Sequence, residues 1–190
     1  ADVAHYRTLP LATVAHRVGG SPAGDYEDAE PEARALASAL TGNTRAAFSC
    51  VLSSVPGPAP DGLDASGLVP RAQTMFDDVE AAYGHVAYGG FAPGGVRAGH
   101  MPGSAHYEGR AVDFFFRPIT ASNNVRGWAL AQYLVSQAER LDIATVIYDA
   151  HIWTAQRSAE GWRTYQVPAG TSGNRDILEH RDHVHADVFD

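Results

Sequence analysis

Short strand-like segments dominate the second half of this chain, and helical patterns interrupt them irregularly. Arg110–Phe116 and His183–Phe189 are rich in alternating or apolar side chains, as in strands. Between them, Asn123–Leu141 has the periodicity of a long helix. Three further short strand patterns follow this helix, at residues 144–148, 151–154 and 162–167. This order is not the regular alternation that builds a parallel sheet, so we predict an α+β fold with a small antiparallel sheet and flanking helices.

The first third of the chain has little clear periodicity. Apolar residues recur with helical spacing from Pro31 to Leu40, which predicts one helix there. Residues 54–67 are dense in Pro, Gly, Ser and Asp, as in a linker or long surface loop. We therefore predict a domain boundary near Asp61, between an N-terminal extension (1–60) and a folded domain (61–190).

Charge and cysteine content exclude several classes of function. The 190 residues carry a net charge of −8 and no arginine cluster, which argues against a nucleic-acid partner. Cys50 is the only cysteine, so an internal disulfide and a cysteine-based zinc cluster are impossible. Any metal must therefore bind to histidine and carboxylate. No run approaches the roughly 20 apolar residues of a membrane-spanning helix, so no transmembrane segment is expected.

Two separated motifs contain the residues that could bind a metal or take part in catalysis. Residues 104–113 spell SxHxxGxAxD, and residues 182–185 spell DHxH. Alternate side chains of a strand share a face, so His183 and His185 are expected to enter one cavity. Two histidines and one aspartate suit a catalytic zinc site, which uses three protein ligands and leaves a fourth position for water. The motifs therefore predict one Zn²⁺ ion per chain.

Together the motifs resemble the zinc D-alanyl-D-alanine carboxypeptidase family, which includes vancomycin-resistance D,D-dipeptidases and the Hedgehog signalling domain. The resemblance extends from about Leu68 to Val188. It implies a Hedgehog/DD-peptidase-like fold and a zinc ion bound by His106, Asp113 and His185.

The resemblance also implies roles for neighbouring residues. Asp182 corresponds to the general base, and His183 to a residue that helps stabilise the transition state. Ser104 is a candidate substrate contact, although a serine here could equally cap the loop. Family members that cut beside a free carboxylate usually carry an arginine before the SxH motif, where this chain has Phe91. Arg97 is the candidate to replace that arginine, or the enzyme is an endopeptidase without this need.

The resemblance implies a zinc peptidase that hydrolyses peptide bonds of bacterial peptidoglycan, in stem peptides or crosslinks, by attack of a zinc-bound water. Such a substrate predicts an extracytoplasmic protein, secreted or associated with the cell envelope, and we expect a monomer. One alternative is a catalytically silent, zinc-stabilised domain that binds cell wall or protein. Another is a metal-dependent esterase or amidase. The presence of Asp182 and His183 beside the ligands favours an enzyme.

Overall fold

A computed structural model describes residues 3–59 and 62–190, and the chain divides into two compact units, Ala1–Ser38 and Ala39–Asp190. The first unit contains helix α1 (Leu11–Gly19) and most of helix α2 (Ala23–Leu40). The helix predicted from Pro31 onward is the second half of α2, because the helix begins earlier and includes Pro31. In the described part of the chain, no helix is both long and apolar enough to cross a membrane.

The second unit contains one sheet of six strands, and hydrogen-bonded neighbours in it are antiparallel. Its spatial order is β1-β2-β6-β3-β4-β5. The predicted α+β class with an antiparallel sheet is therefore confirmed. The strands are β1 (Tyr88–Gly89), β2 (Ala111–Phe115), β3 (Ile143–Tyr148), β4 (His151–Thr154), β5 (Arg163–Thr164) and β6 (His183–Val188).

Two helices flank the sheet, α3 (Pro70–Tyr83) and α4 (Ala121–Ser136). Proline suits the first turn of α3, because a backbone N–H at this position would have no partner within the helix and proline has none. The Thr120 side chain caps α4 by accepting a hydrogen bond from the Asn123 N–H. Buried side chains of both helices join one core with the apolar side chains of the sheet.

The pairing of β2 with β6 brings the two sequence motifs together. Asp113 stands directly opposite His185, and Phe115 opposite His183. The alternate residues Val112, Phe114, Val184, Ala186 and Val188 are fully buried in the core. Because burial of this apolar face determines the strand register, the polar residues must lie on the opposite face. The fold thus forms a polar site on one side of the central strands.

Some predicted elements have different bounds. Helix α4 ends at Ser136 instead of Leu141, and residues 137–142 form turns in which Asp142 has φ +53°. The strand pattern at 162–167 yields only β5, an edge strand that pairs with His151 and Ile152 of β4. An edge strand forms backbone hydrogen bonds with a neighbouring strand on one side only, so fewer of its residues are fixed in strand conformation.

The boundary predicted near Asp61 falls on a residue outside the described part of the chain. Residues 39–59, assigned to the extension by sequence, belong to the second unit. The buried Gln132 side chain accepts hydrogen bonds from the backbone N–H groups of Ala47 (3.0 Å) and Phe48 (2.9 Å). Trp153 donates to the Ser49 hydroxyl at 3.0 Å. These contacts link residues far apart in sequence, which local composition does not reveal.

Candidate metal centre

Three different elements supply the predicted metal ligands. His106 lies in a short 3-10 helix (Ala105–Glu108) immediately before β2, Asp113 lies in β2, and His185 lies in β6. Ser104 begins the 3-10 helix, where its hydroxyl accepts a hydrogen bond from the His106 N–H at 3.4 Å. Gly109 ends it with φ +69°, and an added Cβ would lie 2.6 Å from the Gly67 carbonyl oxygen. This tight turn returns the chain into β2.

The three ligand atoms form a nearly equilateral triangle. His106 Nε2 lies 3.1 Å from His185 Nδ1 and 3.2 Å from Asp113 Oδ1, and His185 Nδ1 lies 3.1 Å from Asp113 Oδ1. Two ligands at about 2.0–2.1 Å from a tetrahedral zinc ion lie about 3.3 Å apart. All three residues are buried, with relative exposures of 2%, 7% and 8% for His106, Asp113 and His185. The cluster could therefore bind a metal ion.

Hydrogen bonds behind the ligands set the orientation of the two imidazoles. His106 Nδ1 lies 2.9 Å from the Gly90 carbonyl oxygen, so this nitrogen donates. His185 Nε2 lies 3.2 Å from Asp187 Oδ2 and donates in the same way. When the rings are neutral, His106 Nε2 and His185 Nδ1 therefore direct lone pairs towards the Asp113 carboxylate. Three electron-pair donors so close together require a proton or a metal cation between them.

Gly90 and Asp187 are supporting residues that the motif comparison did not identify. Gly90 has φ +86°, and an added Cβ would lie 2.4 Å from His106 Cε1, so a side chain cannot fit behind this ligand. Nothing local in the sequence marks that contact. The spacing of His183, His185 and Asp187 on one strand face was an available signal for Asp187, because a histidine ligand commonly donates to a carboxylate.

The charges of the centre depend on each other. Burial alone would raise the pKa of Asp113, but hydrogen bonds from His106 and His185 keep it well below its usual value. Burial alone would lower the pKa of His185, but its hydrogen bonds to Asp113 and Asp187 raise it to about 10. Without a metal, a proton on His185 therefore neutralises the aspartate at ordinary pH.

The predicted general base, Asp182, and its neighbour His183 lie beside the triangle of ligand atoms. Asp182 Oδ1 is 2.7 Å from His183 Nδ1, and Asp182 Oδ2 is 2.6 Å from Arg117 Nε. His183 Nε2 lies 3.8 Å from Asp113 Oδ1, beyond hydrogen-bond distance, so the His183 ring stands between the two carboxylates. Burial alone would raise the pKa of Asp182, but the bonds from His183 and Arg117 outweigh it and lower the pKa.

A groove of about 890 Å³ opens over the centre. Ser104 and Arg117 line it, whereas Arg97 is exposed and is not among the lining residues in the described chain. The structure therefore does not bring Arg97 together with the other predicted site residues. His180 also lines the groove, and its buried Nδ1 has no hydrogen-bond partner among the described residues. No motif surrounds His180 in the sequence, so its position depends on the fold.

His100 is a further groove residue close to the ligands. One of its ring nitrogens, a His106 nitrogen and an Asp113 oxygen all lie within 4.8 Å of one another. His100 belongs to a glycine-rich segment before the SxH motif, and its side chain lines the groove.

Comparison with known families matches residues 64–175 to the VldE C-terminal domain. The chain belongs to this family. The VldE C-terminal domain match includes His106 and Asp113, and it ends before the DHxH motif that contains His185. The family description names neither a reaction nor a metal. Neither a curated protein nor a solved structure matches the chain significantly.

Metal binding at this centre should depend on pH. Because the pKa of His185 without metal is about 10, the ion must displace a proton from this ring at neutral pH. We expect zinc affinity to rise about tenfold per pH unit from pH 6 to pH 8, since about one proton is released per ion. Competition with a chelating dye at several pH values measures this slope. An affinity independent of pH would contradict the protonation of His185.

Proposed function

We propose that the protein is a zinc-dependent peptidase that hydrolyses peptide bonds of bacterial peptidoglycan, in stem peptides or in crosslinks. The observation that carries the proposal is the triangle of His106 Nε2, Asp113 Oδ1 and His185 Nδ1, with sides of 3.1–3.2 Å. These atoms match zinc in type and spacing. The joint SxHxxGxAxD and DHxH motifs supply the peptidase part of the proposal.

Zinc at this position would polarise the scissile carbonyl and lower the pKa of a coordinated water towards about 7. The protein itself would supply the orientation of both imidazoles, through Gly90 and Asp187. It would also supply the proton acceptor. Peptide hydrolysis needs this acceptor because one proton must leave the water and reach the leaving amine.

We propose that Asp182 is the general base and that His183 works with it. The His183 ring contacts Asp182 through Nδ1, and its Nε2 lies 3.8 Å from the metal-ligating oxygen of Asp113. This arrangement supports a joint role, in which the water proton would be taken by His183 Nε2 while Asp182 would take up the proton of His183 Nδ1. Once its Nε2 carries that proton, His183 could also donate a hydrogen bond to an oxyanion. Arg117 orients Asp182 through its Nε contact.

The groove supports a peptide-sized substrate. Its walls combine apolar and polar groups beside the ligand triangle, including Tyr165, Ile177 and Arg117. Arg117 is half-exposed and lies two residues after the end of β2. Arg97 is not among the described residues that line the groove, so it is not placed to bind a terminal carboxylate there. The proposal covers both cleavage beside a free carboxylate and cleavage within a peptide.

The substrate also determines the proposed location and partners. Peptidoglycan lies outside the cytoplasmic membrane, so we propose an extracytoplasmic bacterial protein, secreted or held at the cell envelope. Its proposed partner is the peptide portion of peptidoglycan, bound by a monomer. A net charge of −8 supports a partner other than nucleic acid.

The second candidate is a catalytically silent, zinc-stabilised binding domain. The observation that favours it is the nearness of His100 to His106 and Asp113, because a fourth protein ligand is typical of structural zinc sites. The two candidates make different predictions for peptidoglycan.

Digestion of purified peptidoglycan by the zinc-loaded protein tests the proposal. Mass spectrometry of the soluble products should show peptides released with the addition of one water per cleaved bond. Treatment with a chelator should stop their release, and added zinc should restore it. Zinc binding and muropeptide binding without any cleavage would favour the silent domain. Cleavage of small esters or amides alone would favour the esterase or amidase alternative.

A further inference from the structure

The backbone of His100 is held by the side chain of Tyr107. The Tyr107 hydroxyl accepts a hydrogen bond from the His100 N–H at 3.0 Å and donates one to the His100 carbonyl oxygen at 2.5 Å. Tyr107 follows His106 in the short 3-10 helix. The loop residue His100 is thus anchored to the element that carries a metal ligand.

The His100 ring lies against the ligand ring itself. Its centroid is 3.9 Å from that of His106, and the two ring planes differ by 23°. One His100 nitrogen belongs to a group with His106 and Asp113 whose ligand atoms all lie within 4.8 Å of one another. Neutral imidazole is a common zinc ligand, and a tetrahedral ion accepts four ligands. The triangle formed by His106, Asp113 and His185 accounts for three.

We propose that His100 is a fourth protein ligand of the metal in the absence of substrate. This inference depends on the metal centre proposed above. One nitrogen of the neutral His100 ring would donate its lone pair to the ion, after a small movement of the ring away from His106. The two contacts from Tyr107 hold the backbone within reach.

A fourth ligand changes what the centre can do. Catalytic zinc sites keep one position open, whereas structural sites are closed by four protein ligands. With His100 bound, the resting site is closed, and His100 must leave before substrate chemistry begins. Binding and release of His100 would therefore let one site alternate between a closed state that retains zinc and an open state that can react.

The first test measures metal binding and does not depend on activity. We expect His100→Ala to weaken zinc affinity at least about tenfold, less than loss of one of the three triangle ligands, because water can take the fourth position. X-ray absorption of the zinc protein should count three imidazoles in wild type and two in His100→Ala. The visible spectrum of the Co²⁺ protein should also change. His85→Ala is the matched control, because the His85 side chain is 73% exposed.

A second variant removes the anchor and keeps every ligand. Tyr107→Phe deletes the hydroxyl that holds the His100 backbone, so we expect an affinity between those of wild type and His100→Ala. A wild-type count of two imidazoles, or unchanged affinity and Co²⁺ spectrum in His100→Ala, would overturn the His100 proposal and leave the metal centre intact. A wild-type protein that binds no metal would instead overturn the metal centre.

Discussion

Replacement of His106, Asp113 or His185 by alanine is expected to abolish tight zinc binding. Each change removes one corner of a triangle whose sides are 3.1–3.2 Å. Loss of a residue that merely supports a ligand costs about 10- to 100-fold in metal affinity, so loss of a ligand should exceed about 100-fold. Elemental analysis after dialysis and chelator competition measure the effect.

Matched controls separate ligand loss from general damage. Asp176→Ala removes an exposed carboxylate at the start of a short helix, and His85→Ala removes an exposed imidazole. Both should bind zinc as wild type does. Circular dichroism should show a folded protein for all variants, because the apolar face of β2 and β6 remains intact in each. Unchanged zinc content in all three ligand variants would show that the metal site lies elsewhere.

Asp182→Asn should retain zinc and the fold but lose most peptidase activity. The amide keeps the size of the side chain, while it removes the negative charge that His183 Nδ1 and Arg117 Nε contact at 2.7 and 2.6 Å. A positioned base contributes about 10²–10⁴ in rate, so kcat should fall by a factor in that range. Substrate binding should change less than kcat, because the lost interaction develops in the transition state.

The experiment compares hydrolysis of a muropeptide panel with zinc content in the same preparations. His183→Ala should also keep zinc and lose activity, and the double variant should lose little more than either single one if the two residues act as a unit. Asp176→Asn is the control for loss of an exposed carboxylate. Near-full activity of Asp182→Asn would move the base to another acidic residue, with Glu179 and Asp187 the next candidates.

Local sequence patterns predicted much of the fold. Helical spacing identified α4, and strand alternation identified β2 and β6, because both periods arise from backbone geometry within a few residues. The same alternation correctly placed His183 and His185 on one face. Bounds were less accurate where tertiary contacts end an element, as at Ser136 and in β5.

The sequence by itself determined the residue types that could bind a metal, the strand faces on which they stand, and the antiparallel α+β class. Tertiary structure decided which of these residues meet. The register that sets Asp113 opposite His185 joins residues 72 positions apart, and it follows from burial of a whole apolar face. The supporting contacts of Gly90 and the approach of His100 arise from loops whose course depends on that packing. Such contacts have no local period, so no pattern in the sequence could reveal them.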